Sequence, residues 1–286
     1  MVDIQSVYVS FIQCLNERRW DDLPQYIHGS YEVDGQRYTP ASYAAEAKHA
    51  GEVEVILDAV TVDEESGRLA SNVLVKWKPS RPVMGFEPSN KVLHFMEQRL
   101  NWFTTEGKLS RTIALPDREV IERQLSDPQA EYALEPDLIS TQVNKGGSSG
   151  TELDGDLETI YREYLDCINR RTMETDLPKF CHPHVFHNRR ALPLHQYRQL
   201  MQDAITAIPD INYGLHTIIA DRANQRVAVR LEFTGTPVKA MAGVEPTGRA
   251  VRFAEHVTYQ FRDGKIYRVW SQVDWISYRQ QLVQGH

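Results

Sequence analysis

Apolar positions along this chain recur with two different periods, and the periods change in the same order twice. Val7, Tyr8, Phe11, Ile12 and Leu15 follow the spacing of a helix with one buried stripe, and Ile160, Tyr161, Tyr164, Leu165 and Ile168 repeat it in register. A second stripe in the later half, Tyr197, Leu200, Met201, Ala204, Ile205 and Ile208, ends at Pro209 and predicts another helix, whose counterpart in the first half is weaker. The period then shortens. Val, Ile, Phe and Tyr fill four extended segments near 52–63, 69–78, 91–104 and 108–115, and four more near 211–221, 225–235, 249–262 and 265–273. Arg262-Asp263-Gly264-Lys265 predicts a tight hairpin between the last two. Helices followed by strands predict an α+β domain, with helices packed on one face of an antiparallel sheet. If that sheet curves, the helices crossing its concave face leave an apolar cone suited to a small molecule.

The two halves also match in their punctuation. Gly107-Lys108-Leu109, Ile113, Asp117 and Gln124-Leu125 correspond to Gly264-Lys265-Ile266, Trp270, Asp274 and Gln281-Leu282. Cys14, Asn16 and His28 correspond to Cys167, Asn169 and His182. A repeat of this length means two copies of a whole domain, placed at 4–125 and 157–284. Between them, residues 126–156 lose periodicity and include Lys145-Gly-Gly-Ser-Ser-Gly150, the composition of a flexible linker. Such a tether is long enough for the two cones to dock as an intrachain pseudo-dimer, and further homo-oligomerisation stays open.

Charge and cysteine content narrow the class. A net charge of −7 without a basic face argues against a nucleic-acid partner. No apolar run reaches membrane-spanning length and the start lacks a secretory pattern, so the expected setting is cytoplasmic, with no membrane partner. Of three cysteines, Cys14 and Cys167 share one helical position, which fits buried core residues better than a disulfide framework. Cys181, His182, His184 and His187 crowd too closely for one ion, so no metal is expected. No Walker loop, Gly-x-Gly-x-x-Gly or Gly-x-Ser-x-Gly occurs, and no cofactor is expected.

In the second copy, the helix stripe is followed by His182-Pro183-His184-Val185-Phe186-His187-Asn188, then Thr247-Gly248-Arg249 with Phe253, then Gly264-Lys265-Ile266 through Asp274. This series resembles the SnoaL-like polyketide cyclases of the nuclear transport factor 2-like superfamily. The resemblance covers the second copy fully and the first more loosely. It implies two tandem cone-shaped domains and an aspartate acid/base at Asp274. Strand alternation puts Trp270, Gln272 and Asp274 on one face, where an indole in an apolar cone desolvates the carboxylate and raises its pKa. Asp274 equally suits the N-cap of a helix beginning at Trp275. His187 and Asn188 correspond to a pair that reaches the cavity in the family, and they equally suit a backbone-bonded loop. On the 249–262 strand either parity faces the cone: His256 with Thr258, or Glu255 with Tyr259.

Aligned on the histidines, the first copy has Val33-Asp34 opposite His187-Asn188, Gln98 opposite His256, and Ile113 and Leu115 opposite Trp270 and Gln272. On these positions the first copy reads as a structural echo and the second as the catalytic one. The expected function is a cofactor-independent cyclase or isomerase of secondary metabolism. It would take a small hydrophobic, carbonyl-containing polyketide- or terpenoid-like intermediate. Asp274, His256 and His187 are its catalytic candidates; Asn188, Gln272, Trp270 and Tyr259 are its substrate-binding candidates. Two alternatives are a non-catalytic binding or dimerisation module and an epoxide hydrolase on the same fold. The second copy's third strand lacks a clear Arg-x-Asp pair for the latter.

Overall fold

A computed structural model describes residues 2–127, 129–132 and 156–283. The chain divides into two compact units, Met1–Asn144 and Lys145–His286. Most of the expected linker, residues 133–155, lies outside the described residues.

The first unit opens with α1 (Ile4–Asn16), a 3-10 turn at Trp20–Asp22 and the short α2 (Leu23–Tyr26). These lead into β1 (Ile27–Val33), β2 (Gln36–Tyr38), α3 (Pro40–Ala50), β3 (Gly51–Asp63), β4 (Arg68–Pro79), β5 (Leu93–Phe103), β6 (Leu109–Pro116) and α4 (Arg118–Ser126). The second unit repeats the plan. It runs α5 (Leu157–Asn169), α6 (Met173–Phe180), β7 (Cys181–His187), β8 (Arg190–Pro193), α7 (Leu194–Ala207), β9 (Asn212–Asp221), β10 (Arg226–Gly235), β11 (Val251–Arg262), β12 (Lys265–Val273) and α8 (Trp275–Val283).

Each unit holds a six-stranded sheet, ordered β2-β1-β6-β5-β4-β3 in the first and β8-β7-β12-β11-β10-β9 in the second. The four long strands of each are the four read from the sequence, and all their pairings are antiparallel. Periodicity missed the short hairpin at one edge, whose first strand lies parallel to the last long one. The segment His182–His187, in which no strand was expected, thus lies within strand β7. Its ladder to β12 breaks between Cys181 and Phe186, and Pro183, which has no N–H to give, falls in that break.

Repeated polar residues mark repeated joints. Asn16 ends α1 and bonds both backbone groups of Val55 at 2.8 Å each, and Asn169 does the same for Tyr213 at 2.9 and 3.1 Å. These amides pin the first helix of each unit across the first long strand. Asp263 and Gly264, at φ 48° and 77°, make the β11–β12 turn, where left-handed backbone suits Asp-Gly.

Alternation sorts each sheet into two faces. In the second unit Val227, Val229, Leu231 and Phe233 of β10, Val257, Tyr259 and Phe261 of β11 and Val269 of β12 join the helix residues Tyr161, Tyr164, Leu165 and Tyr197 in one core. Phe253 stacks near Tyr278 of α8, ring centres 5.1 Å apart, which closes one end of that core. Cys14, Cys167 and Cys181 are all buried free thiols. No helix among the described residues is long and apolar enough to cross a membrane.

Candidate active site

Glu255 is the group that stands out on the core face of the second sheet. Register fixes its orientation: it lies opposite Leu231 on one side and Val273 on the other, and Val257, two residues on, lies opposite Ser271. Ser271 Oγ donates to Glu255 Oε1 at 2.5 Å. Desolvation by the surrounding protein pushes the carboxyl up to about 7, against the pull of the Ser271 bond. The residue is nonetheless only partly buried. Around it stand Tyr161, Tyr197, Tyr213 and Tyr259. Burial first, with the charge of Glu255 adding to it, holds their hydroxyls above the ordinary tyrosine pKa, so all four stay protonated. A carboxyl poised near neutrality among neutral hydroxyls is equipped to move a proton and to hydrogen-bond an oxygen that gains charge. Tyr213 also lines a depression of about 430 Å³ between α5 and β9, with Leu165, Asn169 and Leu215.

His187 shares this face. It sits opposite Val269 in the ladder, its ring 5.8 Å from that of Tyr197. Burial, and then the nearby Arg190 charge, push its pKa down to about 4, so at neutral pH it is an uncharged imidazole. Tyr259 also belongs here, with ring centres 5.1 Å from Tyr161 and 5.7 Å from Tyr164.

The remaining sequence candidates lie elsewhere. His256, Trp270 and Gln272 were expected in the cone, but pairing of His256 with Gln272 and of Thr258 with Trp270 places them on the opposite face of the sheet. There Arg230 Nη1 lies 3.0 Å from His256 Nε2, and the Arg268 guanidinium lies 4.6 Å above the Trp270 ring. The alternation was read correctly and the side was not, because apolar residues occupy both faces of β12. Asp274 follows the last residue of that strand and caps α8. Its carboxylate accepts from the Ser277 N–H at 3.1 Å and the Ser277 hydroxyl at 2.6 Å. Asn188, at φ 49°, extends the β7–β12 ladder: its side chain accepts from the Ser271 N–H at 2.8 Å and donates to the Ser271 carbonyl at 3.2 Å. Asp34 does the equivalent in the first unit, at φ 49° with its carboxylate 2.9 Å from the Ala114 N–H. Asn188 and Asp34 therefore both continue the sheet through their side chains.

Orientation also revises the comparison of the two copies. Of the replacements that made the first look stripped, Gln98 for His256 and Ile113 and Leu115 for Trp270 and Gln272 concern the face away from the helices, and Val33 for His187 concerns the helix-facing side. On the helix-facing side the first unit is polar. Glu97 occupies the place of Glu255, each opposite the last residue of the strand that follows, Pro116 and Val273. It is paired with Arg99, where the second unit has Val257. Beyond it Tyr31, Thr112 and Asn101 form a chain of two 2.8 Å bonds.

With this geometry in place, comparison with known proteins is direct. The family model for SnoaL-like polyketide cyclase matches residues 158–282, almost all of the second unit. Through this domain the chain belongs to the SnoaL-like polyketide cyclase family. Solved structures with similar chains include a SnoaL-like polyketide cyclase from Agrobacterium tumefaciens, at 35% identity over 45% of this chain and 98% of that one, with a TM-score of 0.42. AclR from Streptomyces galilaeus is 24% identical over 44% of this chain and 80% of its own, TM-score 0.40. TsrD from Streptomyces laurentii is 19% identical over 46% and 98%, TM-score 0.42. A comparison with curated proteins gave no match. In this SnoaL-like domain the residue that sequence reading passed over is Glu255, although its parity with Tyr259 was one of the two readings left open. The signal that favours it is the run Phe253, Glu255, Val257, Tyr259, Phe261, a single charge within an otherwise apolar alternation.

Proposed function

We propose that the second domain is an acid–base catalyst for a small carbonyl compound, of the cyclase or isomerase kind, with Glu255 as the proton-transfer group. The observation that carries this is a carboxyl on the helix-facing side of the sheet whose pKa is raised to about 7 while Ser271 holds it in place. Near neutrality such a group is half ionised, so it both takes a proton from carbon and returns it elsewhere on the same molecule. Ionised Glu255 removes a proton beside a carbonyl. The resulting enolate oxygen is held by donors among the surrounding tyrosines, and protonated Glu255 then delivers the proton to the oxygen or carbon where the rearranged product needs it. The apolar walls exclude water and fold the substrate so that its reacting carbons approach. Uncharged His187 at the same face serves to orient a polar substituent. A polyketide- or terpenoid-like intermediate fits this reading, because such molecules combine apolar bulk with acidic C–H bonds beside carbonyls. The family's name points the same way.

The test runs with the substrate still unidentified. In the producing organism, deletion of the gene accumulates an intermediate, and complementation with the native gene removes it. Complementation with Glu255→Gln leaves the intermediate in place, whereas an Asp274→Asn protein that folds removes it. Clearance by Glu255→Gln overturns the assignment.

A further inference from the structure

The first domain holds a pocket of about 260 Å³ between the end of α1, helix α3 and the start of β3. Its walls are apolar, with Leu15, Trp20, Val53 and Val55, and Arg99 reaches it from the helix-facing side of β5. That domain lies outside the residues matched by the family model, so what this pocket takes must be read from its own side chains.

Arg99 is the unusual element. Its side chain is only 15% exposed, and burial works against its charge; Glu97, with Tyr8 and Tyr43 nearby, outweighs that and holds the guanidinium above its ordinary pKa. Glu97 accepts from Nε. Among the described residues no hydrogen bond reaches the other two nitrogens, which form the flat outer edge of the guanidinium. That edge offers two parallel N–H donors, the shape that binds a carboxylate through both oxygens. Tyr43 lines the same pocket, and burial pushes its hydroxyl up to about 12, so it remains a neutral donor. The other charged lining residues are Arg18, Arg81 and Glu46, the last two joined in an ion pair. Since Glu97 balances Arg99 and Glu46 balances Arg81, Arg18 is the surplus charge, and it is positive.

We propose that this first-domain pocket is a second ligand site, separate from Glu255, for a small organic carboxylate with an apolar body. The carboxylate seats on the outer edge of Arg99, with Tyr43 beside it, and the apolar part lies between Trp20 and the β3 valines. The volume sits just below the usual range for drug-sized sites, so a single-ring acid is the appropriate scale. The duplication therefore kept one glutamate position in both cones and set it to different uses: alone and protonatable in the second, paired with an arginine in the first.

Benzoate and its neutral isostere benzamide are the probes, titrated into the full chain by calorimetry or ligand-observed NMR. Benzoate is expected to bind at least about tenfold more tightly than benzamide. Ala47→Phe adds a bulky side chain to the pocket wall at α3 and leaves the residues of the Glu97–Arg99 pair unchanged; it should abolish benzoate binding, with retained folding read from the melting temperature. Arg99→Gln should remove the preference for benzoate over benzamide, and Arg99→Lys should restore part of it. Glu255→Gln should leave benzoate binding as it was, which separates this site from the catalytic one. The proposal is overturned by absence of benzoate binding at millimolar concentration. It is equally overturned by binding that survives Ala47→Phe, by a preference that survives Arg99→Gln, or by loss of binding in Glu255→Gln.

Discussion

Hydrogen bonding separates the two acidic residues that compete for the role of proton carrier. Asp274 spends both carboxylate oxygens on Ser277 at the start of α8, and Asp274→Ala should cost about 1 kcal/mol of stability as an ordinary lost cap, read by denaturant unfolding. Glu255 has one bond, from Ser271, in surroundings that favour its neutral form. As a general base it must be ionised, so turnover should fall on the acid side with a midpoint near 7; Glu255→Gln should lower turnover by about 10²–10⁴. The same shift links to stability. The unfolded glutamate loses its proton near 4.5 and the native one near 7, so native stability contributed by this group is full below 4.5 and is lost as pH rises to about 7. His187 acts in the opposite sense: its folded pKa is lowered from 6.5 to about 4, so its contribution is present above 6.5 and lost as pH falls toward 4. Comparing unfolding curves of Glu255→Gln and the native protein from pH 4 to 8 isolates the first effect. A constant difference across that range contradicts the shift.

Strands carry their information in period two, and that decides what was legible in them. The four long strands of each unit, the α+β class, the hairpin at Asp263-Gly264 and the tandem repeat all follow from spacing and punctuation. Which parity faces the helices does not follow on β12, where Val269, Ser271 and Val273 alternate with Arg268, Trp270 and Gln272, and neither set is clearly the apolar one. A strand with no apolar bias leaves its orientation to its neighbours, and β11, with Phe253, Val257, Tyr259 and Phe261 on one side, settles it through register. The strands β1 and β7, next to the edge, escaped notice for another reason. Their pairing to the last long strand is broken by a register shift, so period two never runs long enough to be read. Their joint depends on side chains instead. Asn188→Ala should lose both bonds to Ser271 and put in left-handed backbone a residue without the polar side chain that lets asparagine tolerate it, costing about 1–3 kcal/mol by thermal or denaturant unfolding. Because Ser271 also holds Glu255, the same variant should lower activity beyond its effect on folding.

Duplication frees one copy of a domain to change while the other keeps its chemistry. Both cones here retain the strand order and the asparagine joint, and both place a glutamate at the same register position. What surrounds that glutamate differs. Glu97 is ion-paired with Arg99, whereas burial without a cationic partner leaves Glu255 able to titrate near neutrality. Product formation should therefore survive Glu97→Gln and fail in Glu255→Gln, measured by complementation of the deletion strain. Equal failure of the two would mean that both cones take part in turnover.

The claim on which the rest depends is the ionisation of one carboxyl. ¹³C NMR of the full chain with carboxyl-labelled glutamate follows it directly, the Glu255 resonance being assigned by its loss in Glu255→Gln. A midpoint near 7 is the predicted result, and a midpoint at the ordinary 4.5 would contradict the account.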